Sequence, residues 1–239
     1  MAQQLILDIL PPPEPTLANL IVGENAAVVA AVKALKTGQT LYLWGSEGCG
    51  RTHLLKAASQ HHQGVYFAAH QAKDLQARLD QDTAMPPCVA IDDAHRLDEQ
   101  DASAVFRLYN RWREEASGVH AFRLILAGDR APMQLQLRED LRTRLGWGSV
   151  YRLFALSDTE KFTALTVHAR ERGTPLSADV VHWLLAHGSR DIRELFGWLE
   201  ALEKYALARH RSLTLPLLKT MLAVEKTDSQ IPLKPKNTD

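Results

Sequence analysis

The chain has 239 residues, of which 46% are hydrophobic, which is enough for one large or two modest domains with a proper core. Lys and Arg together number 28 and Asp and Glu together number 28, so the formal net charge is zero. A neutral chain has no global basic field, which disfavours a protein that only coats nucleic acid.

Cysteine content and hydropathy favour a cytoplasmic protein that does not contact membranes. The two cysteines, Cys49 and Cys88, are typical of free thiols in a reducing compartment, because small disulfide-stapled secreted folds use more. No apolar run approaches the roughly 20 residues that a membrane span needs. The N-terminus also lacks a basic segment followed by an apolar one, which a secretory signal would need.

Residues 1–16 have the composition of a leader. Four side chains with a docking pattern precede the proline-rich run 11–15, which is typical of an extended tether; they are Gln4, Leu5, Leu7 and Ile9. An extended segment on a tether is a common way for a peptide to fill the pockets of a partner. The alternative is an edge strand that packs on the protein's own core, and the pattern alone leaves both open.

The stretch 45–52 has the spacing of a phosphate-binding P-loop between an apolar run, 41–44, and a helical run, 53–58. Its glycines let backbone N–H groups converge on a diphosphate, together with the N-terminus of the next helix. Thr52 is expected to ligate Mg²⁺, and Arg51 stands where lysine is usual. The pattern therefore predicts nucleotide binding more firmly than hydrolysis by the chain itself. A surface glycine turn is the alternative.

Strands and helices alternate through the first part of the chain. Strands are expected at 41–44, 64–68, 88–91, 122–127 and 150–154. Helical patterns cover 24–35, 53–58, a polar stretch through Leu75 and Leu79, 101–115, and a segment flanked by Arg138, Arg142 and Arg144. This alternation predicts an α/β fold with a five-stranded parallel sheet and helices on both faces.

Carboxylates follow two of the expected strands. Asp92 and Asp93 come directly after the strand 88–91, and Asp129 follows the strand 122–127. Ligands of open α/β sheets bind at the carboxyl edge of the strands, where one carboxylate can hold Mg²⁺ and its neighbour can polarise a water.

The pattern changes near residue 156, after which helices follow without strands. They are expected at 158–172, 178–186, 191–210 and 215–224, with Ser157 and Ser177 as N-caps. We therefore expect a leader over 1–16, a nucleotide-binding α/β domain over 17–156, a small all-helical domain over 157–224 and a disordered tail over 225–239.

These pieces, in this order, resemble the AAA+ ATPases and specifically the DnaA-like family. The resemblance covers about residues 17–224 and rests on the P-loop, the strand ending in Asp92, the Arg144-Leu145-Gly146-Trp147-Gly148 run, and Asp191-Ile192-Arg193-Glu194-Leu195. It implies an AAA+ P-loop domain with a five-stranded parallel sheet, followed by a helical lid domain.

The resemblance also implies a role for each matching residue. Thr52 and Asp92 would hold Mg²⁺, Asp93 would activate water, and Asp129 would be the first sensor. Arg193 would be a second sensor from the lid, and Arg144 would be an arginine finger that acts in trans on a neighbour's nucleotide. The implied nucleotide-binding residues are Leu20, Ile21, Val22, Gly45, Gly48, Cys49, Gly50, Arg51, Thr52, His53 and Arg193.

The leader and the end of the chain narrow the resemblance. The leader is similar to the peptide by which bacterial proteins bind the DNA polymerase sliding clamp, which makes Gln4, Leu5, Leu7 and Ile9 the expected clamp contacts. We expect no DNA-reading domain after the lid, so DNA would be contacted only through the clamp. This arrangement resembles the regulatory inactivators of DnaA, whose P-loops also accept arginine at the position of Arg51.

A protein of that branch is implied to bind ADP or ATP with Mg²⁺, to dock on the DNA-loaded clamp and to stimulate ATP hydrolysis by DnaA. This would prevent re-initiation of DNA replication. An ATP-driven remodelling ATPase, such as a helicase loader or clamp-loader subunit, is one alternative, and a clamp-binding scaffold without catalysis is another. The sequence does not decide whether the protein forms a homo-oligomer.

Simpler interpretations exist for the individual residues. Arg193 could pair with Glu194 or Glu200 on its own helix. Arg142 and Arg144 could be solvated surface charges, and Asp93 could be a structural hydrogen-bond acceptor. Trp147 is expected to pack at the sheet edge.

Overall fold

The computed structural model describes residues 14–81, 84–174, 176–189 and 191–228. The four expected clamp contacts and residues 229–239 of the expected tail lie outside this part of the chain. The chain divides into two compact units, Glu14–Leu156 and a second unit that begins at Ser157.

Five parallel strands form the sheet of the first unit. They are β1 (Thr40–Trp44), β2 (Val65–Phe67), β3 (Cys88–Ile91), β4 (Arg123–Gly128) and β5 (Ser149–Arg152). Their order across the sheet is β2-β3-β4-β1-β5, so β3, β4 and β1 are neighbours and their carboxyl ends lie side by side. The predicted five-stranded parallel sheet is therefore confirmed.

Helices cover both faces of this sheet. They are α1 (Ala26–Ala34), α2 (Arg51–His61), α3 (Ala72–Asp80), α4 (Glu99–Glu115) and α5 (Glu139–Leu145). Successive side chains of β1 enter different cores: Leu41 and Leu43 pack with residues of α1 and α2, whereas Tyr42 packs with residues of α3 and α4. A strand with two apolar faces is typical of a parallel sheet that is buried on both sides.

The end of β5 and the start of α1 differ from the sequence prediction for one reason. The Asn25 side chain accepts a hydrogen bond from the Phe154 N–H at 2.8 Å and donates to the Phe154 carbonyl at 2.9 Å. This asparagine replaces a neighbouring strand as the partner of Phe154, so β5 ends at Arg152 rather than at 154. Asn25 itself ends a short 3₁₀ turn, Gly23–Asn25, that precedes α1.

All regular secondary structure of the second unit among its described residues is helical. Its helices are α6 (Asp158–Glu171), α7 (Ala178–His187), α8 (Ile192–Ala208) and α9 (Leu215–Asp228). Their core is formed by fully buried side chains, among them Leu165, Leu184, Leu195, Leu199 and Leu218.

The predicted ends of these helices are right in part. Ser157 caps α6 through a capping box with Glu160, as expected. Ser177 occupies the N-cap position of α7, as expected, although its side chain makes no capping hydrogen bond to the α7 backbone. The predicted end of the last helix at residue 224 is wrong, because α9 continues to Asp228.

Candidate functional site

The glycine loop begins where β1 ends and leads directly into α2. Gly48 and Gly50 have φ angles of +76° and +96°, which side chains with a Cβ rarely adopt. A Cβ on Gly45 would lie 2.4 Å from the Leu153 carbonyl oxygen. The first N–H groups of an α-helix have no helical partners and readily bind phosphate, so a strand, a glycine turn and α2 form an anion-binding arrangement.

Arg51, the first residue of α2, folds back across this loop. Its Nη1 donates to the carbonyls of Gly45 and Gly128, the latter at 2.9 Å, and its Nη2 lies 3.9 Å from Asp93 Oδ1. The side chain is only 11% exposed. The planar guanidinium therefore links the start of the glycine loop, the end of β4 and the carboxylate after β3, which suits its fork of donors.

Asp92 is buried at the end of β3 and each of its oxygens accepts a hydrogen bond. Thr52 Oγ1 donates to Oδ2 at 2.6 Å, Tyr66 Oη donates to the same oxygen at 3.0 Å, and the Asp93 N–H donates to Oδ1 at 2.8 Å. Nothing in the sequence of the short strand β2 marks Tyr66 as different from a core residue, so its contact with Asp92 is visible only in the structure.

The oxygens of Thr52 and Asp92 fit magnesium. A hydroxyl and a carboxylate in direct contact are hard oxygen ligands, and Mg²⁺ usually binds to one or two carboxylates plus phosphates rather than to an all-protein cage. The structure contains no cluster of at least three His, Cys, Asp or Glu side chains that could form such a cage among its described residues.

Asp93 and Asp129 face the same histidine. His95 Nε2 lies 4.0 Å from Asp93 Oδ1, and its Nδ1 lies 4.0 Å from Asp129 Oδ1. Asp93 has a φ of +49°, an uncommon conformation for a residue with a side chain, and such strain concentrates at functional sites. His95 is not among the residues predicted for this site, although its position three residues after Asp92 is a signal for it in the sequence.

A salt bridge holds Asp129. Arg130 donates to both of its oxygens, at 2.9 and 2.6 Å, and this hydrogen bonding lowers the pKa of Asp129 below its ordinary value. The Tyr42 hydroxyl donates to the Arg130 carbonyl at 3.1 Å, which anchors the turn that carries both residues. The buried Tyr42 of β1 therefore fixes the turn that follows β4.

Arg144, near the C-terminus of α5, is held between aromatic rings. Its guanidinium carbon lies 3.7 Å from the centre of the Phe106 ring and 5.3 Å from that of Trp147, and its Nη1 donates to Asn110 Oδ1. Trp147 packs edge-on against Tyr109, as a residue at the sheet edge should, yet remains 44% exposed. Arg144 is therefore a partly buried, oriented guanidinium and not a freely solvated charge.

The remaining predicted residues lie in two places. Leu20 and Val22 are partly buried against the core of α1 and α2, and His53 Nε2 lies 3.0 Å from the Thr16 carbonyl oxygen, so α2 contacts the segment 14–22. In the second unit, Arg193 pairs with Asp191, directly before its own helix, at 2.6 Å.

The comparisons with known proteins agree with this architecture. Residues 158–222 match the family described as Hda, lid domain. AMPPCP-bound DnaA from Aquifex aeolicus is 22% identical to this chain, with a TM-score of 0.66 over 91% of this chain and 70% of that one. Domain III of Thermotoga maritima DnaA is 18% identical, with a TM-score of 0.69 over 90% of this chain and 98% of that one.

A protein other than DnaA also has a similar fold. A P216G mutant of Thermotoga maritima RuvB is 16% identical, with a TM-score of 0.65 over 90% of this chain and 73% of that one. At these identities the structural neighbours show the fold alone, and the family match concerns residues 158–222 of the second unit. The chain therefore has the AAA+ fold that DnaA also has, and its residues 158–222 match the Hda lid-domain family.

Proposed function

We propose that this protein is a regulatory inactivator of DnaA, which binds an adenine nucleotide and stimulates ATP hydrolysis by DnaA in trans. The observation that carries the proposal is the match of residues 158–222 to the Hda lid-domain family. The DnaA-like fold of the first unit supports it, since a DnaA of that fold binds AMPPCP.

The nucleotide site is formed by the glycine loop and the start of α2. Backbone N–H groups of the loop bind the diphosphate, and Leu20, Ile21 and Val22 line the adenine. Thr52 and Asp92 hold Mg²⁺, which neutralises charge on the phosphates. Gly45, Gly48 and Gly50 allow the close approach of the backbone, with Cys49 and His53 beside them.

Arg51 makes this site one that binds nucleotide better than it hydrolyses it. Its guanidinium is engaged by two carbonyl oxygens and faces Asp93, the residue proposed to polarise water. A positive fork on that carboxylate competes with its use as a base, and the fork is less suited than a lysine to follow a terminal phosphate. We expect ADP to be the preferred ligand, with Asp129 and, from the lid, Arg193 sensing the phosphates.

Arg144 is the residue that acts on the partner. Phe106 and Asn110 fix the plane of its guanidinium before any partner arrives. An oriented arginine loses less entropy when it contacts a phosphoryl group than a free one, which is why such arginines stabilise phosphoryl transfer effectively. The group would therefore stabilise charge on the ATP held by DnaA.

The leader brings the protein to its place of action. Gln4, Leu5, Leu7 and Ile9 bind the DNA polymerase sliding clamp, so that DNA is contacted only through the clamp. No helix of the described residues is long and apolar enough to cross a membrane. We propose that the protein is cytoplasmic. Its oligomeric state can be measured from its mass in solution.

A motor is the second candidate, because the chain shares its fold with RuvB, which is described as a Holliday junction branch migration motor. Turnover by the isolated chain separates the two functions: an inactivator should hydrolyse ATP slowly alone, and a motor should reach the usual range of about 1–10³ per second. Activation of hydrolysis by DnaA then separates an inactivator from a scaffold, which would bind the clamp and activate nothing.

A further inference from the structure

His95 lies between two carboxylates of the candidate site. Its ring nitrogens are each 4.0 Å from one carboxylate, Asp93 after β3 and Asp129 after β4. Both distances exceed a hydrogen bond. The ring is 16% exposed, and its Nδ1 is buried without a hydrogen-bond partner among the described residues. Buried polar atoms of this kind are rare and call for an explanation.

His95 lies at the strand ends, which is where the third phosphate of a bound nucleotide is expected. In P-loop sites the loop and the helix N-terminus cradle the inner phosphates, and residues at the neighbouring strand ends face the terminal one. Asp93 and Asp129 occupy those strand ends, and two carboxylates repel a terminal phosphate. A donor between them reduces that repulsion further than Arg51, 3.9 Å from Asp93, and Arg130, 2.6 Å from Asp129, already do.

We propose that His95 is a positioning residue that spans Asp93 and Asp129 and thereby sets how strongly the site discriminates a nucleoside triphosphate from a diphosphate. The inference rests on the proposed nucleotide site and extends it to a residue that has no role in it so far. A ligand with two phosphates ends before the strand edge, so its affinity should depend little on His95, whereas a third phosphate should meet carboxylates that are less well shielded when the imidazole is removed.

Protonation should modulate this effect. Burial lowers the pKa of His95 from its ordinary value, while Asp129 and Asp93 act in the opposite direction and Arg51 and Arg96 oppose protonation. The imidazole is therefore neutral at pH 7.5 and gains a charge below its ordinary pKa of about 6.5. The added positive charge would favour the triphosphate further.

The test is calorimetric titration of the full chain with ADP and with AMPPCP in the presence of Mg²⁺. We expect His95→Leu to weaken AMPPCP binding relative to ADP by roughly fivefold at pH 7.5, the size of one typical hydrogen-bond contribution. His95→Gln, which retains a donor, should recover part of this loss at pH 7.5. The control is His120→Leu, an exposed histidine before β4, at the opposite end of the sheet, which should change neither affinity.

The pH profile distinguishes positioning from a structural role. Lowering the pH from 8 to 5.5 should raise the ratio of AMPPCP affinity to ADP affinity more in the wild type than in His95→Gln. Any titration of the ligand itself is the same for both proteins and cancels in this comparison. An unchanged affinity ratio in His95→Leu, or an equal loss of both affinities with a lower melting temperature, would overturn the inference. Failure of the wild type to bind either nucleotide would instead overturn the proposed site.

Discussion

Replacing Arg144 with alanine should separate the structural contribution of this residue from its action on a partner. The structure gives the cost to folding: the variant loses stacking on Phe106 and Trp147, each worth about 0.5–1 kcal/mol at partly exposed sites, and one hydrogen bond to Asn110, worth about 0.5–1.5 kcal/mol. The total of about 1.5–3.5 kcal/mol is below the roughly 5–15 kcal/mol of a typical domain. The variant should fold and bind ADP and the clamp.

The loss of activation should be far larger. An arginine finger supplied in trans contributes roughly 10³–10⁵ in rate, or about 4–7 kcal/mol of transition-state stabilisation. The assay is phosphate release from ATP-loaded DnaA under single-turnover conditions. Arg144→Lys should recover little activity, because lysine keeps the charge and loses the planar fork.

Arg138→Ala is the matched control. This arginine also faces the Phe106 ring, at 5.5 Å, but it is 60% exposed and pairs with Asp140. Its removal should leave most of the stimulation in place. Stimulation that survives in Arg144→Ala would refute the assignment, and Arg142, whose Nη1 contacts the Met133 carbonyl at 3.4 Å, would be the next residue to test.

Three further predictions concern other parts of the chain. In calorimetry, the wild type should bind ADP more tightly than ATP, and Arg51→Lys should reduce the difference between the two affinities. Tighter binding of ATP than of ADP by the wild type would favour the motor function. Changing Leu5 and Leu7 to alanine should abolish clamp binding in a pull-down and leave ADP affinity unchanged, whereas a marked fall in melting temperature would mean that both leucines pack on the protein's own core. Because Arg130 lowers the pKa of Asp129, this carboxyl stabilises the fold above its unfolded pKa of about 3.9, and the stabilisation is lost as the pH falls through the lower folded pKa. Arg130→Ala should therefore unfold at lower urea than wild type at pH 7, and the difference should shrink in acid; a constant difference would contradict the linkage.

The sheet and the glycine loop could be predicted because their information is local. Apolar runs bounded by glycines and carboxylates mark strands, and the strand 88–91 matches β3 at both ends. The positions of Asp92 and Asp129 follow from the rule that parallel strands end at one edge. The capping box at Ser157 is likewise a short sequence signal.

Several partners of the site residues could not be predicted, because they lie far away in the chain. Tyr66 and Asp92 are 26 positions apart, Arg144 and Asn110 are 34 apart, and Arg51 and Gly128 are 77 apart. The end of β5 has the same cause, since Asn25 and Phe154 are separated by 129 positions. Patterns of hydropathy carry no information on such pairs, which only the packing of the sheet brings together.

The central claim is that this chain activates ATP hydrolysis by DnaA and not its own. The most direct measurement loads DnaA with ATP labelled on the γ-phosphate, removes free nucleotide, and follows the released phosphate after addition of this protein in its ADP form, the sliding clamp and DNA. Rapid release with all components, and release close to that of DnaA alone when this protein, the clamp or DNA is omitted, is the predicted result. Release that is equally slow with and without this protein would contradict the account.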